Sequence, residues 1–280
     1  MTAVLEPRAN TRASATNRAD PGGSLTSVGK ALALLDAFRS SAKVLGVTEL
    51  ANRAGISKST AHRLLGSMVE YGYLQRVENR YCLSPQIFEL GNQVPMCSPS
   101  GLRERAAPVM TELFAATEGT IHLGMPVDNE VLYIAKIAGR HAIPWSTRVG
   151  ARSPAHCTAL GKALLAFGGP QAQATATQFN LHRFTAYTLY QPGRLLQSLE
   201  QARSDGIAVD HEEFRLGLTC IAAPIIDHHT GRAIAAISIS SVTTAPDAHR
   251  FARPLQRAAE KISDLVRTVP ASDGGSHAAA

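Results

Sequence analysis

The chain has 280 residues, is 45% hydrophobic and 18% charged, and carries a formal net charge of +6. That length suffices for two globular domains, each with its own core, and no apolar run is long enough for a membrane-spanning helix. The four cysteines (Cys82, Cys97, Cys157 and Cys220) are scattered, with no C-x-x-C pair and no zinc-finger spacing. Free thiols in a reducing cytoplasm fit that pattern better than a disulfide framework. Residues 1–92 hold 11 Lys/Arg against 7 Asp/Glu (+4), whereas residues 93–280 hold 17 against 15 (+2). The smaller part is the more basic, which favours an acidic partner there.

Residues 1–23 are polar and Arg-rich and lack the apolar centre of a secretory signal. An organellar transit peptide has a similar composition; a disordered arm is the plainer expectation. In "SVGKALALLDAF", Val28, Leu32, Leu35 and Phe38 recur at helical spacing and predict a first helix with an apolar stripe. After the loop "RSSAKVLG", Thr48 is the expected N-cap of a second helix, and Gly55 its left-handed end. Ser57 is the expected cap of a third helix, which buries Ala61, Leu64, Leu65 and Met68 and ends at Gly72. "YLQRVENRYCLSP" contains two short β-type runs around Glu78-Asn79, a hairpin. Three helices followed by a hairpin make a winged helix-turn-helix, assigned to residues 24–84. Ser84-Pro85 then starts a linker helix, and the Pro/Ser/Gly-rich "PMCSPSG" marks a boundary, so 85–101 reads as the connection.

From 102 to 268 the pattern is that of an α+β sheet domain. "LRERAAPVMTELFAATEG" is helical, with Pro108 near its start or kinking it. "TIHLGMPVDNEVLYIAKIAG" reads as strand, Asp128-Asn129 turn, strand. "CTALGKALLAF" and "GRLLQSLEQARSDG" are helical, and "IAVD", "CIAAPIID" and "AIAAISISS" are strands. "PLQRAAEKISDLV" is a closing amphipathic helix with Leu255, Ile262 and Leu265 or Val266 on one side. Residues 269–280 read as a disordered tail.

A helix that buries Ala61, Leu64, Leu65 and Met68 must turn Lys58, Ser59, His62 and Arg63 outward. No acidic residue lies between Glu49 and Glu70, while Arg53, Lys58 and Arg63 supply positive charge. A solvated face usually mixes both signs; a face that meets phosphate excludes carboxylates. Arginine suits guanine edges, and serine and threonine suit phosphates or bases. In a helix-turn-helix the second helix of the pair enters the major groove and the first braces on the backbone. The candidate DNA-binding residues are therefore Thr48, Arg53, Ser57, Lys58, Ser59, Thr60, His62 and Arg63. Arg76 and Arg80 flank the hairpin and are added for phosphate or minor-groove contact.

"SVGKALALLDAF", "VTELANRAGISKSTAHRLLGSMVEYGYL" and "RYCLSPQIFELG" resemble the winged-helix domain of the IclR family of bacterial transcription regulators. "SPAHCTALGKALLA" and "DHEEFRLGLTCIAAPIIDHHTGRAIAAISISS" resemble its effector-binding domain. The resemblance runs from about residue 25 to 268. It implies a GAF-like second domain, a homodimer or homotetramer, operator DNA with inverted half-sites, and a small-molecule effector, commonly an organic or aromatic acid. It also implies that Ala159, Leu160, Asp210, Cys220, Ser238 and Ser240 face that effector.

The residues add their own argument. Ser238 and Ser240 are two apart on a strand, so both hydroxyls share one face. "TALGKALLA" opens a helix, whose free N–H groups suit a carboxylate. An acid beside Asp210 requires that this residue be protonated, bridged by water, or bound to a ligand hydroxyl. Bland readings stand beside these: Cys220 as a small core residue, Asp210, Glu212 and Glu213 as an exposed loop cluster, His228-His229 as an exposed turn. His141 and Trp145 either lid the pocket or cover the sheet. Two rival functions use the same chain. One is a cysteine enzyme built on Cys220, or on Cys157 with His156. The other is a metal or redox sensor built on His156, Asp210 and Cys220. No catalytic signature surrounds the thiols, and neither a cofactor nor a metal is expected.

Overall fold

The structure, a computed structural model, describes residues 25–39, 43–98, 100–139, 147–178, 181–241 and 250–267, without the side chains of 175–178 and 241. The expected arm and tail, together with His141 and Trp145, lie outside them. The chain divides into two compact units, Met1–Glu89 and Leu90–Ala280, and the architecture is α+β.

In the first unit, Thr26 caps α1 (Ser27–Asp36) by accepting from the Gly29 N–H at 3.1 Å. The apolar stripe expected there is buried only in part: Val28 and Leu32 are 69% and 57% exposed, Leu35 is half-buried and Phe38 enters the core, and Leu34, outside the stripe, is buried with them. The helix α2 (Val47–Ala54) starts two residues earlier than expected. Its N-cap is Gly46, with no side-chain cap, so Thr48 lies inside the first turn and exposed. Gly55 ends it at φ 66°, where a side chain would be strained. Ser57 caps α3 (Lys58–Glu70), accepting from the Thr60 N–H; the cap at the far end is Tyr71, one residue before Gly72. Strands β1 (Leu45–Gly46), β2 (Leu74–Val77) and β3 (Arg80–Leu83) form an antiparallel sheet in the order β1-β3-β2. Glu78 makes the hairpin turn at φ 54°. Leu34, Leu45, Leu50, Leu64, Leu65 and Leu74 form the centre of one core. Helix α4 (Pro85–Asn92) follows.

The second unit is built on a six-stranded antiparallel sheet. Helix α5 (Leu102–Thr117) carries Pro108 in its interior without breaking. That proline leaves the Glu104 carbonyl without an intrahelical donor, and the burial of Val109, Met110 and Leu113 on the sheet offsets the loss. Strands β4 (Thr120–Val127) and β5 (Glu130–Ile137) turn at Asp128, φ 55°. Then come β6 (Arg152–Pro154), α6 (Ala159–Phe167), α7 (Pro170–Gln178) and α8 (Pro192–Asp205). The unit closes with β7 (Ala208–His211), β8 (Thr219–Asp227), β9 (Arg232–Ser241) and α9 (Ala252–Arg267). The strand order is β6-β5-β4-β9-β8-β7. The three-residue β6 and helix α7 are too short or too polar to stand out in the sequence.

Alternation along the strands gives the sheet two different faces. Ile121, Leu123, Ile221, Ile237 and Ile239 pack against α5 and α9. The opposite face carries small residues, Ala222 and Ala236 among them, under α6 and α8. Small residues there let α6 lie close to the sheet, and α6 is buried from Ala159 to Ala166. At Gly161 an added Cβ would sit 2.2 Å from the Ala155 backbone, so only glycine permits this crossing.

Candidate functional site

Within the first unit, α3 is anchored through Ala61, Leu64, Leu65 and Met68, all buried. That anchoring leaves Lys58, Ser59, His62 and Arg63 exposed, with Thr60 half-buried. Ser57 Oγ also lies 2.8 Å from Thr60 Oγ1 and 3.2 Å from Ser59 Oγ, so the hydroxyls at the helix start are held together. Among the described residues neither Lys58 nor Arg63 makes an ion pair. Two other candidates are committed to their own unit. Arg53 donates to the Ala37 carbonyl at 3.0 Å and pairs with Glu49 at 2.6 Å. Arg76 braces the hairpin, donating to the Glu78 carbonyl and to Asn79 Oδ1, both at 3.1 Å. Arg80 is exposed beside it on β3. The face clear for a partner is thus Lys58, Ser59, His62 and Arg63.

Within the second unit, pairing register brings the remaining candidates together. His122 lies opposite Ser238, and Ser240 opposite Cys220, which lies opposite Asp210. All share the sheet face that α6 covers. Thr158 caps α6, its Oγ1 accepting from the Gly161 N–H at 3.2 Å, while the N–H groups of Ala159 and Leu160 have no partner within the helix. Cys220 Sγ donates to Ser240 Oγ at 3.1 Å, and Ser240 Oγ lies 3.5 Å from His122 Nδ1. Asp210 Oδ1 accepts from the Glu213 N–H at 2.8 Å.

The loop-cluster reading of the acidic residues is corrected by burial: Asp210 is 2% and Glu213 4% exposed. Glu213 forms an ion pair with Lys162 of α6, itself 1% exposed. Burial raises the Asp210 carboxyl to about 7, and Glu213 adds to the shift while Lys162 opposes it. At neutral pH this acid is therefore partly protonated. Burial, then the Lys136 ammonium, lowers His122 to about 3, which keeps the ring neutral.

The thiols are not activated. Burial pushes Cys220 and Cys157 upward, and the nearby Asp210 charge pushes the same way. His156 turns its Nε2 to the His182 carbonyl at 3.0 Å. Among the described residues no three His, Cys, Asp or Glu side chains converge as metal ligands, so His156 does not join Asp210 and Cys220. His228 and His229 are exposed in their turn, with His228 3.4 Å from Asp264.

Residues 95–264 match the model of the bacterial transcriptional regulator IclR C-terminal domain, and residues 27–78 match that of the IclR helix-turn-helix domain. The chain belongs to the IclR family. It is a transcriptional regulator with a DNA-binding helix-turn-helix and an effector-binding C-terminal domain. The HTH-type transcriptional regulator XynR of Escherichia coli K12 is 36% identical over 85% of this chain and 96% of its own length. The transcriptional repressor IclR of the same organism is 31% identical over 84% of this chain and 86% of its own. Among solved structures, an IclR homologue from Microbacterium hydrocarbonoxydans complexed with 4-hydroxybenzoate superposes with a TM-score of 0.79 at 26% identity. That match covers 87% of this chain and all of the other.

Four members of the buried cluster in this IclR-family chain escape sequence reasoning as site residues: His122, Tyr133, Lys162 and Glu213. The His122 and Tyr133 rings meet edge to face, 5.3 Å between centroids, and His122 Nε2 reaches Thr147 Oγ1. One signal pointed to Lys162, a lone charge within the apolar run "TALGKALLAF", since a charge buried on a helix is rare unless paired. Nothing local indicated its partner, 51 residues away.

Proposed function

We propose that this regulator binds double-stranded operator DNA by seating α3 in the major groove, and that a small organic acid held against the N-terminus of α6 controls the binding. The single observation behind the first half is the exposed, carboxylate-free face of Lys58, Ser59, His62 and Arg63 on a helix gripped from its other side. In this reading Arg63 and His62 reach base edges, and Lys58 with the hydroxyls of Ser57, Ser59 and Thr60 meets phosphate. Thr48 and Arg80 add backbone contacts. Arg53 and Arg76 act by holding α2 and the hairpin in place. The working division is a winged helix-turn-helix over 24–84, a connection over 85–101 and an effector domain over 102–268.

For the effector, the supports are the N–H groups of Ala159 and Leu160 and the hydroxyls of Ser238 and Ser240 on one face, with Asp210 and Cys220 alongside. A relative crystallised with 4-hydroxybenzoate makes aromatic acids the first class to screen. The unactivated thiols support a regulator without catalytic activity. A homodimer or homotetramer on inverted half-sites, acting in the cytoplasm, completes the reading. The exposed Val28 and Leu32 offer apolar surface for assembly. Among the described residues no helix is long and apolar enough to cross a membrane.

Replacing Arg63 with alanine and measuring affinity for the promoter-proximal operator tests the DNA half. At unchanged helicity, affinity falls by about 1–3 kcal/mol if Arg63 makes a bidentate base contact. Full affinity would refute α3 as the reader. The logarithm of affinity should also fall with the logarithm of salt concentration, with a slope of about −0.9 per phosphate contacted.

A further inference from the structure

The buried cluster beneath α6 contains two carboxylates and one ammonium. Lys162 pairs with Oε1 of Glu213, and Asp210 Oδ1 takes the Glu213 N–H. Oε2 of the same Glu213 carboxylate is buried and has no hydrogen-bond partner among the described residues. It cannot swing out to water easily. Its sister oxygen is held by Lys162, and the Glu213 backbone carbonyl accepts from Thr188 Oγ1 at 2.6 Å and from Thr185 Oγ1 at 3.2 Å. An ionised acceptor fixed in the interior without a donor is costly, and a native structure that keeps one calls for a group that fills it.

We infer that the effector is an acid that also carries a hydroxyl, and that Glu213 Oε2 accepts that hydroxyl while the start of α6 receives the carboxylate. The inference rests on the reading of this pocket as an acid site and adds a second recognition element to it. Donors for the carboxylate are the N–H groups of Ala159 and Leu160 and the serine hydroxyls of β9. Acceptors sit at the other end of the same face, on β7 and the loop after it. Lys162 lies on α6 one turn beyond Ala159, and its pairing with Glu213 joins the two ends. A ligand ammonium fits worse than a hydroxyl, because it would share the Glu213 carboxylate with the Lys162 ammonium and be repelled by it. Asp210, partly protonated at neutral pH through burial, tolerates a neighbouring acid.

The test is isothermal titration of the full-length protein with matched probes: lactate against propionate and alanine, and 2-, 3- and 4-hydroxybenzoate against benzoate. A site whose buried acceptor is left unpaired rejects the analogue that lacks the donor. At least one hydroxy acid should therefore bind on the order of tenfold tighter than its deoxy partner. Glu213→Gln keeps the shape but presents an amide N–H₂ once its oxygen meets Lys162, and should shrink that ratio towards one. The wild-type ratios decide the question even if the variant folds poorly. Equal affinity for every hydroxy and deoxy pair would overturn the hydroxyl inference and leave the acid site standing. Alanine binding more tightly than lactate would overturn it in favour of an ammonium. If none of the acids binds, the acid-site reading falls and this inference with it.

Discussion

Two glycines, one in each unit, should respond in opposite directions to the same substitution. In α6, a Cβ on Gly161 would lie 2.2 Å from both Cα and O of Ala155 and 2.5 Å from its carbonyl carbon. Ordinary contact begins near 3.4 Å, so α6 or the Ala155 segment must move by about 1 Å, and neither obstacle is a side chain that can rotate away. Overpacking costs about 1–3 kcal/mol, and backbone obstacles place this site at the upper end. The gain in helix propensity from glycine to alanine is about 1 kcal/mol. Gly161→Ala should therefore lose about 2 kcal/mol, a drop of roughly 4–8 °C in the melting temperature of the larger unit. In α3, Gly66 has nothing within 4 Å of the built Cβ, so Gly66→Ala should gain up to about 1 kcal/mol, raising the smaller unit by roughly 4–8 °C. Differential scanning calorimetry of the two variants measures both and assigns each transition to its unit. A Gly161→Ala protein as stable as wild type would refute the close crossing of α6, and with it the placement of the helix start against the sheet.

Lys162→Met leaves two buried carboxylates without their ammonium and should cost about 3–5 kcal/mol; the double variant with Glu213→Leu should recover much of that in urea unfolding. Stability against pH should carry two opposed slopes. Asp210 is raised from 3.8 to about 7, so the native state binds the extra proton and stability falls as pH rises through that window, by at most about 1.4 kcal/mol per pH unit. His122 is lowered from 6.5 to about 3, so the unfolded state binds the extra proton and stability falls as pH drops below 6.5. Asp210→Asn should leave the histidine slope and His122→Gln the aspartate slope, and variants parallel to wild type between pH 4 and 7 would contradict both. Ser57→Ala removes the cap on Thr60 N–H and should cost about 1 kcal/mol in the unfolding of the smaller unit.

What could be read ahead of the structure was whatever a few neighbouring residues decide. Ser57 and Gly55 are a cap and a left-handed stop because of their own chemistry, and Ala61, Leu64, Leu65 and Met68 mark one helix face by spacing alone. The hairpin at Glu78-Asn79 and the turn at Asp128 are local in the same sense. Spacing was less informative where several faces of a helix are apolar. In α1, Leu35 and Phe38 of the expected stripe pack on the core, but Val28 and Leu32 stay exposed and Ala31 and Leu34 take their place. The candidate arginines divide on similar grounds. Charge marks Arg53 and Arg76 for DNA as strongly as Arg63, yet the Ala37 carbonyl, Glu49 and the hairpin tip take the first two.

By itself, then, the sequence determined a basic winged helix-turn-helix ahead of an α+β domain, because periodicity, caps and turns act over a handful of residues. It also determined that Ser238 and Ser240 share one strand face and that a helix starts at "TALGKALLA", since strand alternation and helix ends are local rules. Tertiary structure alone decided that Lys162 meets Glu213, that His122 stands opposite Ser238, and that one oxygen of Glu213 is left without a donor. Those facts depend on strands and helices tens to more than a hundred residues apart. Strand pairing sets His122 opposite Ser238, and burial of α6 against the sheet brings Lys162 to Glu213.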